Sequence, residues 1–182
     1  MIHDIQNYKP SENDKFLVDT NIWLFLHCPI GNHRQNVIAK YSKFYKDIVI
    51  AKSKILISSS VACEFMNRYV KLDYDLQKST NSAIQEYKRT YRPTAEYKST
   101  VKQAAAALNN KILPSCQKIH DNFDAISMVN IFNHMEHVDV SDSYMFELVN
   151  NQGIKILTDD ADFGVFKDKC DIYTSNRKLL AM

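Results

Sequence analysis

The stretch "FLVDTNIWLF" (residues 16–25) decides how this chain is read. Phe16, Leu17 and Val18 form an apolar run of strand length, and Ile22, Trp23, Leu24 and Phe25 form a second apolar run. Asp19, Thr20 and Asn21 stand between them. A carboxylate enclosed by two segments bound for a core is costly to bury unless something pairs with it. Asp19 therefore needs a partner from elsewhere in the chain.

Similar short apolar runs recur as "KILIS" (54–58), "IKILT" (154–158) and "IYTS" (172–175), each of strand length, with longer helical segments between them. The spacing predicts helices over Ser60 to Tyr74 and Leu76 to Tyr91. Pro93 then interrupts the chain, and "TAEYKSTVKQAAAALNNK" forms a strong helix. Pro114 interrupts it again before a helix reaching His134. A last helix spans Val140 to Asn150 and ends in "NNQG" (150–153), where Gly153 suits the turn into the next strand. Strands separated by helices predict a three-layer α/β/α fold around a mostly parallel sheet, with a helical hairpin inserted over residues 76–135. Residues 1–15 read as an N-terminal segment, 16–176 as one domain and 177–182 as a C-terminal tail.

In parallel sheets, ligands gather at the carboxyl ends of the strands, and the acids of this chain follow that rule. Asp19 ends the first run. Glu64 lies in the first turns of the helix after "KILIS"; a capping box would need Ser or Thr three residues earlier, and Val61 stands there. An ion pair between Glu64 and Arg68 at i+4 is the competing explanation. Asp142 shares a helical face with Met145, Phe146 and Val149, although Asp139 as an N-cap with Asp142 in the first turn accounts for the same pattern. "TDDADF" places Asp159, Asp160 and Asp162 directly after "IKILT". Alone it reads as a hydrophilic turn, but together with Asp19 it puts acids at the ends of two strands. Carboxylates gathered this way raise one another's pKa. A divalent cation removes that cost, and an all-oxygen set suits Mg²⁺ or Mn²⁺.

The rest of the composition narrows the class. The chain has 182 residues, 45% hydrophobic and 24% charged, as in an ordinary soluble domain. Its four cysteines include no C-x-x-C pair, which argues against a zinc ribbon or a disulfide scaffold. "HMEHVD" (134–139) lacks the spacing of a zincin motif. No apolar segment reaches the length of a membrane span, and the N-terminus lacks the pattern of a signal peptide, so the expectation is a soluble cytoplasmic protein. The net charge of +2 conceals a division. Residues 77–118 carry eight Lys/Arg against two acids, and residues 139–171 carry eight acids against three Lys. In the basic part, Lys88, Arg89, Arg92, Lys98 and Lys102 alternate with Tyr87, Tyr91 and Tyr97. That mixture can grip single-stranded RNA by stacking and charge. Equally, it can be a hairpin whose tyrosines pack inward.

"LVDTNIWL", "LISSSVACEF", "DSYMFELVNNQG" and "IKILTDDADF", in that order, resemble a PIN-domain ribonuclease, and within that family the VapC type of toxin–antitoxin systems. The matching positions are Asp19 with Thr20 and Asn21, Glu64, Asp142 eleven residues before Gly153, and Thr158, Asp160, Asp162 and Phe163. The resemblance implies hydrolysis of RNA phosphodiesters with one or two Mg²⁺ or Mn²⁺ ions among Asp19, Glu64, Asp142 and Asp160. It gives Asp162 as an outer ligand or an orienter of water, with Asn21 and Thr158 as polar support. It also implies a small antitoxin partner that covers the cleft, and a homodimer. Bulky residues after Asp142, a long interval from Glu64 to Asp142 and the extra acid Asp159 depart from the family pattern. Two other readings remain open: a catalytically silent module that binds RNA or protein, and a DNA-directed nuclease. A haloacid-dehalogenase-type phosphatase would need Asp where Asn21 stands.

Overall fold

Phe16, Leu17 and Val18 are all buried. Successive side chains on a strand point to opposite faces, so this strand must be covered on both sides. In the computed structural model, which describes residues 1–150 and 152–182, it is the strand β2 (Lys15–Val18) inside a six-stranded, all-parallel sheet. The other strands are β1 (Ile2–Asp4), β3 (Lys54–Ile57), β4 (Gln117–Lys118), β5 (Lys155–Leu157) and β6 (Ile172–Thr174). Helices α1 (Thr20–His27), α2 (Gln35–Ile50), α3 (Ser59–Thr80), α4 (Ala95–Ala107), α5 (Met128–His134), α6 (Val140–Val149) and α7 (Arg177–Leu180) complete an α/β fold. Among the described residues, no helix is long and apolar enough to cross a membrane. All four cysteines are free.

The spatial order is β1-β6-β5-β2-β3-β4. From β2 the chain steps to β3 and β4 on one side, then crosses back to place β5 on the other side of β2. The reversal between β2 and β5 opens a crevice at their carboxyl ends, the usual ligand position in such sheets. Their register pairs Val18 with Leu157. Asp19 and Thr158, the next residues, therefore emerge side by side.

Several local expectations are corrected. Residues 1–15 are not an appendage, because β1 pairs with β6 from Ile2–Ile172 to Asp4–Thr174. The ring of His3 stacks on Tyr173 at 4.6 Å and its Nε2 lies 2.9 Å from Asp171. A three-residue strand with no apolar alternation gives no periodic signal. Nor do residues 177–182 form a free tail. Leu179 of α7 is fully buried, and a Cβ at Gly164 would clash with the Met182 side chain and touch Leu179 at 3.4 Å.

One continuous α3 replaces the two helices expected before residue 91, and it ends at Asn81. The chain then folds back through a π-helical turn, Tyr87–Tyr91. Its return is fixed by Tyr74 donating to the Gln85 carbonyl at 2.7 Å and by Tyr91 donating to Asp73. After Pro114 the chain first adds β4 to the sheet edge beside β3, and α5 begins only at Met128. Gly153 takes the expected left-handed conformation, with φ of 63°. Asn151 of that turn lies outside the described residues.

Candidate active site

Asp19 is the N-cap of α1, yet its side chain makes no capping hydrogen bond. Its carboxylate instead accepts from Thr158 Oγ1 at 2.7 Å and from Asn21 Nδ2. Asn21 also reaches Thr158 Oγ1 at 3.2 Å, and its Oδ1 accepts from the Asp159 amide at 3.2 Å. Thr158 Oγ1 accepts from the Asp160 amide at 3.0 Å. Asn21 and Thr158 thus stitch the end of β2 to the turn after β5 and fix the Asp19 carboxylate between them.

Glu64 comes from the opposite flank. Ser58 caps α3 by accepting from the Val61 amide, so Glu64 is not needed as a cap. Its Oε2 accepts from Thr20 Oγ1 at 3.0 Å, and its Oε1 faces Arg68 Nη1 at 3.2 Å. The expected pair with Arg68 therefore exists beside a second link to the Asp19 segment. Thr20, quoted above as part of the D-T-N segment, has a function as the hydroxyl that tethers Glu64. Asp142 enters on the first turn of α6, where Asp139 caps the helix by accepting from the Asp142 amide at 3.0 Å. The Asp142 carboxylate is left facing the other acids.

The electrostatics define the cluster. Burial raises the Asp19 pKa. The hydrogen bond from Thr158 opposes this, the charges of Glu64 and Asp160 add to it, and the result is about 7. Asp142 is pushed to about 8, first by burial and then by Asp19, Asp139, Asp160 and Glu64. Acids from four separate elements thus act on one another at the crevice between β2 and β5. Asp160 caps the short turn Ala161–Phe166 through the Asp162 amide. Asp162 itself is solvent-exposed.

Among the described residues, no three His, Cys, Asp or Glu side chains are gathered tightly enough to hold a metal as they stand. The donor chemistry nevertheless fits a hard divalent cation: carboxylates and hydroxyls, with no thiolate or imidazole. His134 of "HMEHVD" is taken up structurally, its Nδ1 lying 3.2 Å from Ser143 Oγ and its ring edge-on to Phe146 and Phe166.

The basic stretch lies elsewhere. Tyr74, Tyr87, Tyr91 and Tyr97 form their own cluster, and Tyr91 is fully buried. The inward-packing alternative therefore holds, and Tyr91 offers no face for stacking. Lys88, Arg89, Arg92, Lys98 and Lys102 remain exposed. Arg89 contacts Glu86 at 3.5 Å, and Arg92 lies over the Tyr87 ring at 5.3 Å. This cluster is anchored at Asp73, nine residues beyond Glu64 and so roughly 14 Å further along α3.

No family model and no curated protein matches this chain. Among solved structures, it is similar to a chain in the crystal structure of VapBC2 from Rickettsia felis bound to a DNA fragment from its promoter, with 13% identity and a TM-score of 0.47 over 88% of this chain and 97% of that one.

Proposed function

We propose that the chain is a Mg²⁺- or Mn²⁺-dependent endoribonuclease of the cytoplasm, acting as the toxin of a toxin–antitoxin pair. The observation that carries this reading is the convergence of Asp19, Glu64, Asp142 and Asp160, from four separate elements, at the carboxyl ends of β2 and β5, where burial first and the neighbouring acids second push Asp142 up to about 8. Arg68 balances Glu64 alone, and a divalent cation would relieve the repulsion among the remaining acids. The order of the four motifs in the sequence supplies the choice of RNA and of an antitoxin that covers the cleft.

In this reading Asp19, Glu64, Asp142 and Asp160 hold the ion, and Asp162 stands outside them to orient water. When bound, the ion supplies Lewis-acid stabilisation of phosphate charge and a more acidic water. The remaining tasks fall to the chain itself. Thr158 and Asn21 hold the Asp19 carboxylate in one orientation, Thr20 does the same for Glu64, and Asp139 fixes the first turn from which Asp142 projects.

The test is cleavage of labelled single-stranded RNA by purified protein with Mn²⁺, compared with EDTA and with Asp142→Asn. Metal-dependent cleavage lost in the variant is the expected result. Saturable Mn²⁺ binding without cleavage would give precedence to a silent binding module, and cleavage of DNA alone would reassign the substrate.

A further inference from the structure

A second concavity of about 540 Å³ opens beside the acidic turn, between α2, the end of β6 and α7. Arg34, Lys40, Arg177 and Lys178 line it. Among the described residues none of the four has a carboxylate within salt-bridge distance. Arg34 is moreover the N-cap of α2, where its side chain makes no capping bond and no acid follows in the first turn. A cation at the positive end of a sixteen-residue helix is locally unfavourable. Departures of this kind collect at functional sites.

Hydrogen bonds tie the floor of the concavity together. Tyr41, fully buried, donates to Asp159 Oδ1 at 2.6 Å and accepts from the Ser175 amide at 2.9 Å, tying the turn after β5 to the end of β6. Asn176 Nδ2 donates to the Asp159 carbonyl, and its Oδ1 accepts from the Lys178 amide at 2.9 Å. Asp159 lies in this floor, and the next residue, Asp160, belongs to the acidic cluster. One wall is aromatic: the ring of Phe25 meets that of His33 at 4.7 Å.

We propose that this concavity is a subsite for single-stranded nucleic acid: its four cations hold backbone phosphate next to the bond cleaved at the acidic cluster, and its aromatic wall receives a base. Unpaired cations beside an aromatic surface are the recurrent means of holding an unpaired strand. An acidic peptide would use the cations but not the aromatic wall. The strand's position relative to the cleaved bond rests on the nuclease reading; its binding does not.

The test uses full-length protein carrying Asp142→Asn, in EDTA, with a fluorescein-labelled single-stranded oligoribonucleotide followed by anisotropy across salt. Replacing Arg177 and Lys178 by Gln should weaken binding and flatten the plot of log affinity against log salt by about 1.4, the share of two phosphate contacts on a single strand. Arg34→Gln, on a different element, should flatten it by about 0.7 and covers the case in which the C-terminal changes disturb folding. In protein with Asp142 intact, the Arg177/Lys178 change should raise KM far more than it lowers kcat. Unchanged slope and KM in a cleaving protein would overturn the subsite and leave the nuclease reading standing. The expected slopes in a protein that never cleaves would sustain the subsite and remove the nuclease reading. Equal affinity for a poly-glutamate peptide at the same salt would overturn the nucleic-acid assignment.

Discussion

β2 carries a buried carboxylate at each end, and the two have opposite surroundings. Asp14, just before the strand, is 7% exposed; Asp19, just after it, is 4% exposed. Both face β5, which pairs with β2 along its length. At the amino end β5 contributes Lys155, whose ammonium contacts Asp14 and donates to Tyr8 at 2.7 Å while lying over the Tyr8 and Tyr173 rings. Asp14 also accepts from the Ser11 amide at 2.7 Å and from Tyr8 at 2.9 Å. Burial would raise its pKa, but Lys155, Ser11 and Tyr8 together outweigh that and bring it below the ordinary range. At the carboxyl end β5 contributes Thr158 and then more acids; burial first, and then the charges of Glu64 and Asp160, raise the Asp19 pKa to about 7 against the Thr158 hydrogen bond. One strand pair therefore balances its charge at one end and leaves it unbalanced at the other. The balanced end holds the fold together; the unbalanced end is where we propose the active site.

The sharpest way to break this contrast is to neutralise the unbalanced end. Asp19→Asn and Asp142→Asn should each reduce RNA cleavage by about 10³-fold while far-UV circular dichroism stays native. Because each change removes repulsion, the metal-free variants should melt no lower than wild type, and higher by about 2–4 °C per kcal/mol of repulsion relieved. Wild-type cleavage in either purified variant would sink the assignment.

Asp14→Asn should behave in the opposite sense. It leaves the Lys155 ammonium without its counter-charge and should cost about 3–5 kcal/mol in urea unfolding, with cleavage per folded molecule unchanged. Adding Lys155→Met should recover much of that loss, since removing both partners leaves no buried charge unpaired.

Mn²⁺ should stabilise the wild type by about 2.7 kcal/mol at a hundredfold excess over Kd, and Asp19→Asn should abolish the effect. Trp23, buried on α1 four residues beyond Asp19, supplies a fluorescence readout that EDTA should reverse.

A smaller effect is expected on pH. The folded pKa of Asp14 is below its unfolded value, so its contribution is present above the unfolded pKa and is lost as pH falls through the folded one. The stability gap between wild type and Asp14→Asn should therefore hold steady near neutrality and close below about pH 4. A gap that persisted unchanged into stronger acid would show that the Asp14 charge is not what stabilises that end. Least of all should depend on the tyrosine hairpin: replacing Arg89 and Arg92 by Gln should flatten the salt dependence of RNA binding less than replacing Arg177 and Lys178.

Much of this arrangement is legible in the sequence. Four of the six strands announce themselves as apolar runs, and Asp19, Glu64, Asp142 and Asp160 follow from their places at strand ends and helix starts. β1 and β4 escape notice because they are the edge strands of the sheet, which need little apolar character, so no apolar run marks them. The basic tyrosine segment is a case that composition alone leaves open. Its composition suits RNA, but Asp73, which carries no signal of its own, gathers the Tyr91 and Thr100 hydroxyls and turns the rings inward.

The sequence by itself determined the parallel α/β class and the identity of the acids, because periodicity and residue type are local properties of the chain. Only the tertiary structure decided which charges meet. Asp14 finds Lys155, Asp19 finds Glu64 and Asp142, and Arg34 comes to share a concavity with Arg177 and Lys178, across separations of 45 to 144 positions in the chain. Electrostatic interaction falls with distance in space and not with separation along the chain. The same carboxylate is therefore balanced or left unbalanced according to what the fold places beside it.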